Sequence, residues 1–397
     1  MSNPRYAEIR SAPMPYRWLL AGLFVLLIVG IFAAHQMDVA GHHISGMNNQ
    51  IVWGLPHVFA IFLIVSASGA LNLASLSSVF DKQEYKPLAR FSAIVAIALL
   101  VGGLGILLLD LGRPDRLIVA MTYYNFKSIF AWNIILYIGF IVIVGAYLWL
   151  MMERRMHRWS RPAGTLAFVW RLLLTTGTGS IFGFIVAREA YDSALLAPMF
   201  IAMSFAFGLA VSILLLMLSF RLDKRVLDDS HLQRLRKLLG IFIVAILYFV
   251  LLFHLTKLYG SQNHEFERFI LLDGKPYAAL FWVVQLGLGS LLPLLLIYTP
   301  ALKDSRRVLV LVCLLVLIGA FAQLYIIIIG GQAFPLNIFP GYIVESSFYD
   351  GVINVYSPSF RELMLGLGGL SAALLIALLG LRILPILPEI LGPEVDS

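Results

Sequence analysis

The chain has 397 residues, 60% of them hydrophobic and 13% charged, with a net charge of +7 and a single cysteine. A mean hydropathy of +0.89 excludes a soluble domain and a disordered chain and leaves an integral membrane protein. One cysteine excludes an intrachain disulfide and a cysteine-ligated zinc or iron–sulfur centre.

Crossing ~30 Å of hydrocarbon at ~1.5 Å per residue takes roughly 17 to 25 apolar residues. In chain order, ten stretches meet this and predict transmembrane helices: Trp18 to Ala34, Ile51 to Phe80, Phe91 to Leu109, Ser128 to Met151, Leu166 to Ala187, Leu195 to Phe220, Leu239 to Lys257, Ala278 to Tyr298, Arg307 to Ile329, and Glu362 to Ile383. The expected fold is all-α and polytopic, a single membrane domain over residues 1–397. The count suits two four-helix groups, within 18–187 and within 195–383, the latter with the last helix. Arg5, Arg10 and Arg17 precede an apolar run longer than the core of a signal peptide, so that run is read as the first helix.

Of the 29 Lys and Arg residues, 20 fall on the side of the N-terminal tail, which predicts that both termini are cytoplasmic. The basic segment Arg221 to Lys237 is then an anchor beside anionic lipid headgroups rather than a nucleic-acid site. Thr175, Gly179 and Gly183, spaced by four, read as packing positions, and Gly102, Gly103 and Gly105 are expected to break the third helix.

There is no P-loop, dinucleotide glycine fingerprint or His-Glu-x-x-His helix. Of eight histidines only His57 and His254 lie in spans, whereas a transmembrane cytochrome with two bis-histidine haems needs four imidazoles there. The polar residues that remain gather at one rim. With the N-terminus inside, the second helix begins at the outer face, the third ends there and the fourth begins there. His57, Ser68, Asn72 and Ser75 share one stripe of the second helix, with Trp53 and Gly54 a turn above His57. The third helix leaves through Asp110-Leu111-Gly112-Arg113-Pro114-Asp115-Arg116, and the fourth follows Tyr123-Tyr124-Asn125-Phe126-Lys127.

Ionisable groups at a membrane boundary are functional candidates. Asp110 and Arg113 either cap the third helix as a pair or serve a site; Trp53, Tyr123 and Tyr124 either belong to the interfacial aromatic belt or face a ligand. His57, a lone imidazole in an apolar span, needs a partner and is read as functional. His254 with Lys257 is a second candidate, Arg171 is read as a snorkelling structural residue, and Cys313 as a small core residue.

Trp53-Gly54 followed by His57, the turn Asp110-Leu111-Gly112-Arg113-Pro114, Ser128 before the fourth helix, and Tyr356-Ser357-Pro358-Ser359-Phe360-Arg361-Glu362 opening the last resemble the NrfD/polysulfide reductase membrane-subunit family, including its ten-helix hydrogenase-type members. The resemblance spans nearly the whole chain and is strongest from Trp53 to Ser128. It implies a quinone-reactive anchor of a respiratory oxidoreductase in a prokaryotic inner membrane. Such an anchor has two four-helix bundles plus two extra helices and no haem or iron–sulfur cluster of its own. It binds menaquinone or ubiquinone near the outer end of the first bundle, beside a ferredoxin-like iron–sulfur subunit that links to a molybdopterin, hydrogenase or multihaem cytochrome subunit.

Carried over residue by residue, His57 stands where relatives place a polar or acidic residue. It is expected to hydrogen-bond a quinone carbonyl and exchange its proton, imidazole being the side chain that changes charge near neutral pH. Tyr123 or Tyr124 is expected to face the ring, Asp110 with Arg113 to pass protons to the outer water, and Trp53 and Asn72 to complete the binding site. The second helix has no Asp or Glu before Asp81, so a carboxylate role on that helix falls to His57. Without haems, quinone and redox partner are expected to meet on one face, with Asn133, Arg171 and Thr175 to Thr178 as way stations of a proton path. The competing class is a secondary transporter of a small solute or ion, which ten helices would also serve. A third is an anchor that binds quinone or lipid without turnover.

Overall fold

The computed structural model describes residues 5–9, 13–336, 351–389 and 391; Arg10 falls outside them. Ten helices among these are long and apolar enough to cross a membrane: α1 (Met14–Ala40), α2 (Leu55–Ser78), α3 (Gln83–Leu109), α4 (Ile129–Met152), α5 (Arg154–Gly183), α6 (Leu196–Leu222), α7 (Asp229–Tyr259), α8 (Lys275–Tyr298), α9 (Arg306–Ala333) and α10 (Phe360–Ile383). Each overlaps its expected stretch, and the chain is an all-α polytopic membrane protein. The helices differ from the expected spans mainly at their ends. α7 starts at Asp229 rather than Leu239, so Arg234, Arg236 and Lys237 ride on polar first turns and not in a loop.

Helices α2 to α5 pack as one four-helix bundle and α6 to α9 as a second, joined where α6 meets α2 and α5. α1 lies along α10, and α10 packs on α3 and α2, so the last helix sits on the first bundle although it follows the second in sequence. This leaves α2 walled on every side: its apolar window is 100% buried, against 22% in α1. Lipid is as apolar as a leucine side chain, so helices associate by close backbone approach rather than by a hydrophobic force. Glycines supply that approach. Gly102 and Gly103 do not break α3, which runs unbroken through them; a Cβ there would stand 2.6 Å from the Gly369 carbonyl of α10 and 2.9 Å from that of Ala60 on α2.

The tightest crossing joins the two bundles. A Cβ on Gly208 of α6 would lie 2.1 Å from the Gly69 carbonyl carbon and the Ala70 nitrogen of α2. Those are backbone atoms with no rotamer to yield, so Gly208→Val is expected to cost more than ~3 kcal/mol and to remove folded protein from membranes, read as detergent-extractable monodisperse yield.

The first and last described segments meet at one end, the end expected from the Lys and Arg bias to be the inner one. The strands β1 (Tyr6–Ala7) and β2 (Leu387–Pro388) pair antiparallel there. Arg225 locks the pairing, donating to the carbonyls of Leu387 (3.0 Å), Pro388 (3.0 Å) and Glu8 (2.6 Å) and pairing with Asp223. Arg236 likewise donates to the Leu302 and Leu296 carbonyls. Two cations of the basic segment expected to face headgroups are therefore internal clamps.

Candidate functional site

The outer end of α2 is fixed from two directions before its first turn. From α10, Glu362 accepts the Gly46 N–H (2.7 Å) and the Tyr356 hydroxyl (2.7 Å), and closes a capping box with Ser359. Tyr356 in turn accepts the Leu55 N–H (2.6 Å). Burial and the Glu362 carboxylate push the Tyr356 phenol far above its ordinary range, so it stays a donor. Gly54 is required here because a Cβ would sit 2.4 Å from Glu362 Oε1 and 2.8 Å from the Tyr356 hydroxyl. From α9, Gln332 Oε1 accepts the N–H groups of Val52 (2.9 Å) and Trp53 (3.0 Å), while its Nε2 donates to the Trp53 carbonyl (3.0 Å). Gln332→Leu leaves these loop groups unpaired at a cost of about 2 kcal/mol. Hydrogen–deuterium exchange is expected to speed up at residues 52–53 and not in the body of α2.

Held in this way, Trp53 stacks near His57, ring centroids 6.1 Å apart at 27°, and meets Phe130 of α4 and Phe182 of α5. His57 Nδ1 lies 2.8 Å from Asp110 Oδ2; the carboxylate side chain is 1% exposed and the imidazole 23%. Asp110 is the C-cap of the helical segment that ends α3. A second imidazole, His42, lies with its Nε2 3.1 Å from the Asp110 carbonyl oxygen and 3.9 Å from Oδ1. The 2.8 Å contact is one of proximity without hydrogen-bond alignment, so both Asp110 oxygens are buried without a hydrogen bond.

Arg113, Tyr123, Tyr124 and Asn72 make no hydrogen bond, ion pair or ring contact with His57 among the described residues. Arg113 does not pair with Asp110; its guanidinium makes a bidentate contact with Asp115 (3.0 and 2.9 Å) in the exposed turn and holds that carboxyl below its usual range. Chain proximity suggested Asp110, but the turn carries Arg113 away from the helix end. Neither Tyr123, 82% exposed, nor Tyr124, which stacks on Phe126, makes a hydrogen bond or ring contact with His57 among the described residues. Asn72 shares the stripe of His57 but lies fifteen residues on, about 22 Å deeper.

At that depth Asn72 accepts from Arg171 (2.5 Å) and donates to the Phe205 carbonyl (3.0 Å). Arg171 does not snorkel: it is 3% exposed, donates to the Ser68 carbonyl (3.0 Å), and lies over the rings of Phe168 and Phe205. Thr175 donates to the Ser68 hydroxyl (2.6 Å), and Asn133, nearer the outer end, donates to the Gly177 carbonyl (3.1 Å). His254 and Lys257 sit in the other bundle, His254 Nδ1 2.7 Å from Glu267 Oε2 and Lys257 donating to the Glu189 carbonyl (2.6 Å). Sequence reasoning passed over His42, Gln332 and Glu267. The doublet His42-His43 at the outer end of α1 was a usable signal for the first; the others carry no local pattern.

The NrfD family model, described as polysulphide reductase NrfD, matches residues 43–336, which is the stretch from the outer end of α1 through both bundles. The chain belongs to the NrfD family. It is 30% identical to the Hdr-like menaquinol oxidoreductase integral membrane subunit of Archaeoglobus fulgidus, over 97% of each protein. It is 31% identical to a putative dimethyl sulfoxide reductase membrane subunit of Halobacterium salinarum, over 93% of this protein and 91% of that one. A subunit of the selenate reductase of Mesobacillus selenatarsenatis is 25% identical, matching 92% of this protein and 93% of its own length. In this NrfD protein, α10 lies beyond the matched residues, yet it supplies the Glu362 that anchors the site.

Proposed function

We propose that this protein is the quinone-reactive membrane subunit of a prokaryotic respiratory oxidoreductase, working in the inner membrane. The observation that carries the reading is the buried Asp110 carboxylate beside the partly exposed His57, under the Trp53 indole. A carboxylate with two oxygens lacking hydrogen bonds fits a ligand that brings hydroxyl donors, as a quinol does. Menaquinone or ubiquinone bound there supplies reversible two-electron, two-proton chemistry. His57 holds or releases a proton at its ring nitrogens, Asp110 beside it accepts from a ligand hydroxyl, and Trp53 with Phe130 excludes water from one side. Arg113, Tyr123 and Tyr124, at the exposed outer turn, belong on this reading to the surface that meets the redox partner, and Asn72 to the proton path through Arg171.

The partner is an iron–sulfur subunit on the outer face, joined to a molybdopterin, hydrogenase or multihaem cytochrome subunit. The names of the relatives, which are subunits of larger reductases, support this, as do the apolar side chains Tyr123, Phe126, Val186, Tyr259 and Val355 left exposed on the outer loops. The test is mild solubilisation followed by mass spectrometry of co-purifying proteins and extractable quinone. An iron–sulfur subunit with stoichiometric quinone is expected; a lone protein without quinone, moving a solute across vesicles, overturns the proposal.

A further inference from the structure

The second bundle has a polar interior of its own. A cavity of about 30 Å³ lies among Val250, Phe253 and His254 of α7, Phe281 and Gln285 of α8, Gln323 and Ile326 of α9, and Leu196 and Met199 of α6, roofed by Phe266 and Ile270. At 10–15 Å³ each, about two water molecules fit. The volume is far too small for a quinone ring, and the site is on the other bundle from His57.

Three features mark it as built. His254 Nδ1 is 2.7 Å from Glu267 Oε2, and the Glu267 side chain is fully buried. Glu267 Oε1 and Gln323 Nε2 are buried with no hydrogen-bond partner. The helices around it are wound with π-type turns over Phe269–Asp273, Leu280–Leu291 and Ile326–Gly330. Such widened turns cost hydrogen-bond geometry and cluster at functional sites. Here they contribute Ile270, Phe281, Gln285, Ile326 and Ile327 to the lining.

The orphaned Gln323 amide in an apolar cavity of this size calls for water, and a carboxylate beside an imidazole in a membrane interior calls for a proton. We propose that His254 and Glu267 form a hydrated proton-exchange site in the outer half of the second bundle. One proton is taken up or released by the pair, by making or breaking an N–H or O–H bond with no electron moved. Water in the cavity meets the Gln323 amide, and Gln285, about 15 Å below the outer end of α8, is a further polar group of its lining. His254, about 8 Å below the outer end of α7, is the side nearer outer water.

The charges facing the pair are few. Lys257 on α7 is a cation whose charge reaches Glu267, and it is held by the carbonyls of Glu189 and Asp192, from the loop between α5 and α6. On the segment of Glu267 itself, Glu265 is its near neighbour and Arg268 pairs with Asp273. The lining residues of α6, α8 and α9 are uncharged.

The experiment is infrared difference spectroscopy of the intact complex, titrated between about pH 5 and 9 in light and heavy water. A single deuterium-sensitive carboxylic-acid signal is expected, absent in Glu267→Gln and displaced by about one pH unit or more in His254→Gln. Quinone-linked electron transfer is expected to stay within about twofold of wild type in both, since neither residue is near His57. A Glu267→Gln spectrum that superimposes on wild type overturns the proposal. So does a signal that follows sodium concentration rather than pH. If Glu267→Gln fails to assemble, an unmoved signal in His254→Gln overturns it. The spectra read protonation and not turnover, so failure here leaves the His57 reading untouched.

Discussion

Replacing Asp110 by Asn is expected to lower quinone-linked turnover by about 100-fold or more, the usual contribution of a positioned acid–base group, while the complex assembles and keeps its partner. The substitution is nearly isosteric, so the buried pocket is kept; what is lost is the charge 2.8 Å from His57 Nδ1. Without it the site loses a carboxylate that can take a proton beside the imidazole. His57→Ala removes the proton-carrying group and is expected to fall as far. Because the two act as one unit, the double variant is expected to be no slower than the worse single variant. The measurement is steady-state quinol oxidation or quinone reduction by the purified complex, alongside electron transfer between partner and an artificial dye. Wild-type quinone turnover in either variant would falsify the assigned roles, and loss of dye activity as well would mark an assembly defect instead.

The second large effect is expected at Arg171. A guanidinium near the middle of a membrane is costly, by at least ~2.5 kcal/mol. This one is held by neutral acceptors, the Ser68 carbonyl and Asn72 Oδ1, and by two aromatic faces. No buried carboxylate is abandoned when it is removed, so Arg171→Met is expected to fold with unimpaired thermal stability. Turnover is nevertheless expected to drop about tenfold or more, equivalent to ~1.4 kcal/mol on the barrier. The reason is that Ser68, Thr175 and Asn72 lose the charge that organises their hydrogen bonds. Arg171→Lys, which keeps a cation and loses the planar fork, is expected to recover part of the rate. Unchanged turnover in Arg171→Met would assign the cluster to packing alone.

The sequence was most legible where one-dimensional quantities matter. An apolar run long enough to span hydrocarbon is a property of composition and length, which is why each of ten stretches coincides with a helix although their ends move. α7 shows the limit: helix continues past the membrane into water, where hydropathy carries no signal. The Ser359-x-x-Glu362 spacing and the Trp53-Gly54 pair were also visible. Their purpose, fixing the outer end of α2 against α10, was not, because it joins residues some three hundred positions apart.

The candidate site was half legible for the same reason. Helical periodicity put His57 and Asn72 on one stripe, and the structure keeps them there, but periodicity gives a face and not a depth, and the two are about 22 Å apart. Proximity in the chain paired Asp110 with Arg113, whereas the packed helices bring His57 of α2 to Asp110 and send Arg113 to Asp115. By itself, then, the sequence determined the spans and the rim at which polar groups collect, though α1 runs on past its expected end and takes in His35. The tertiary structure decided which imidazole meets which carboxylate, that Arg171 turns inward, and that a second imidazole–carboxylate pair, His254 with Glu267, forms beside water-sized space in the other bundle. In lipid no hydrophobic contrast tells a helix which neighbour to choose. That choice rests on glycine contacts such as Gly69 with Gly208 and on buried hydrogen bonds, which exist only once the helices have crossed.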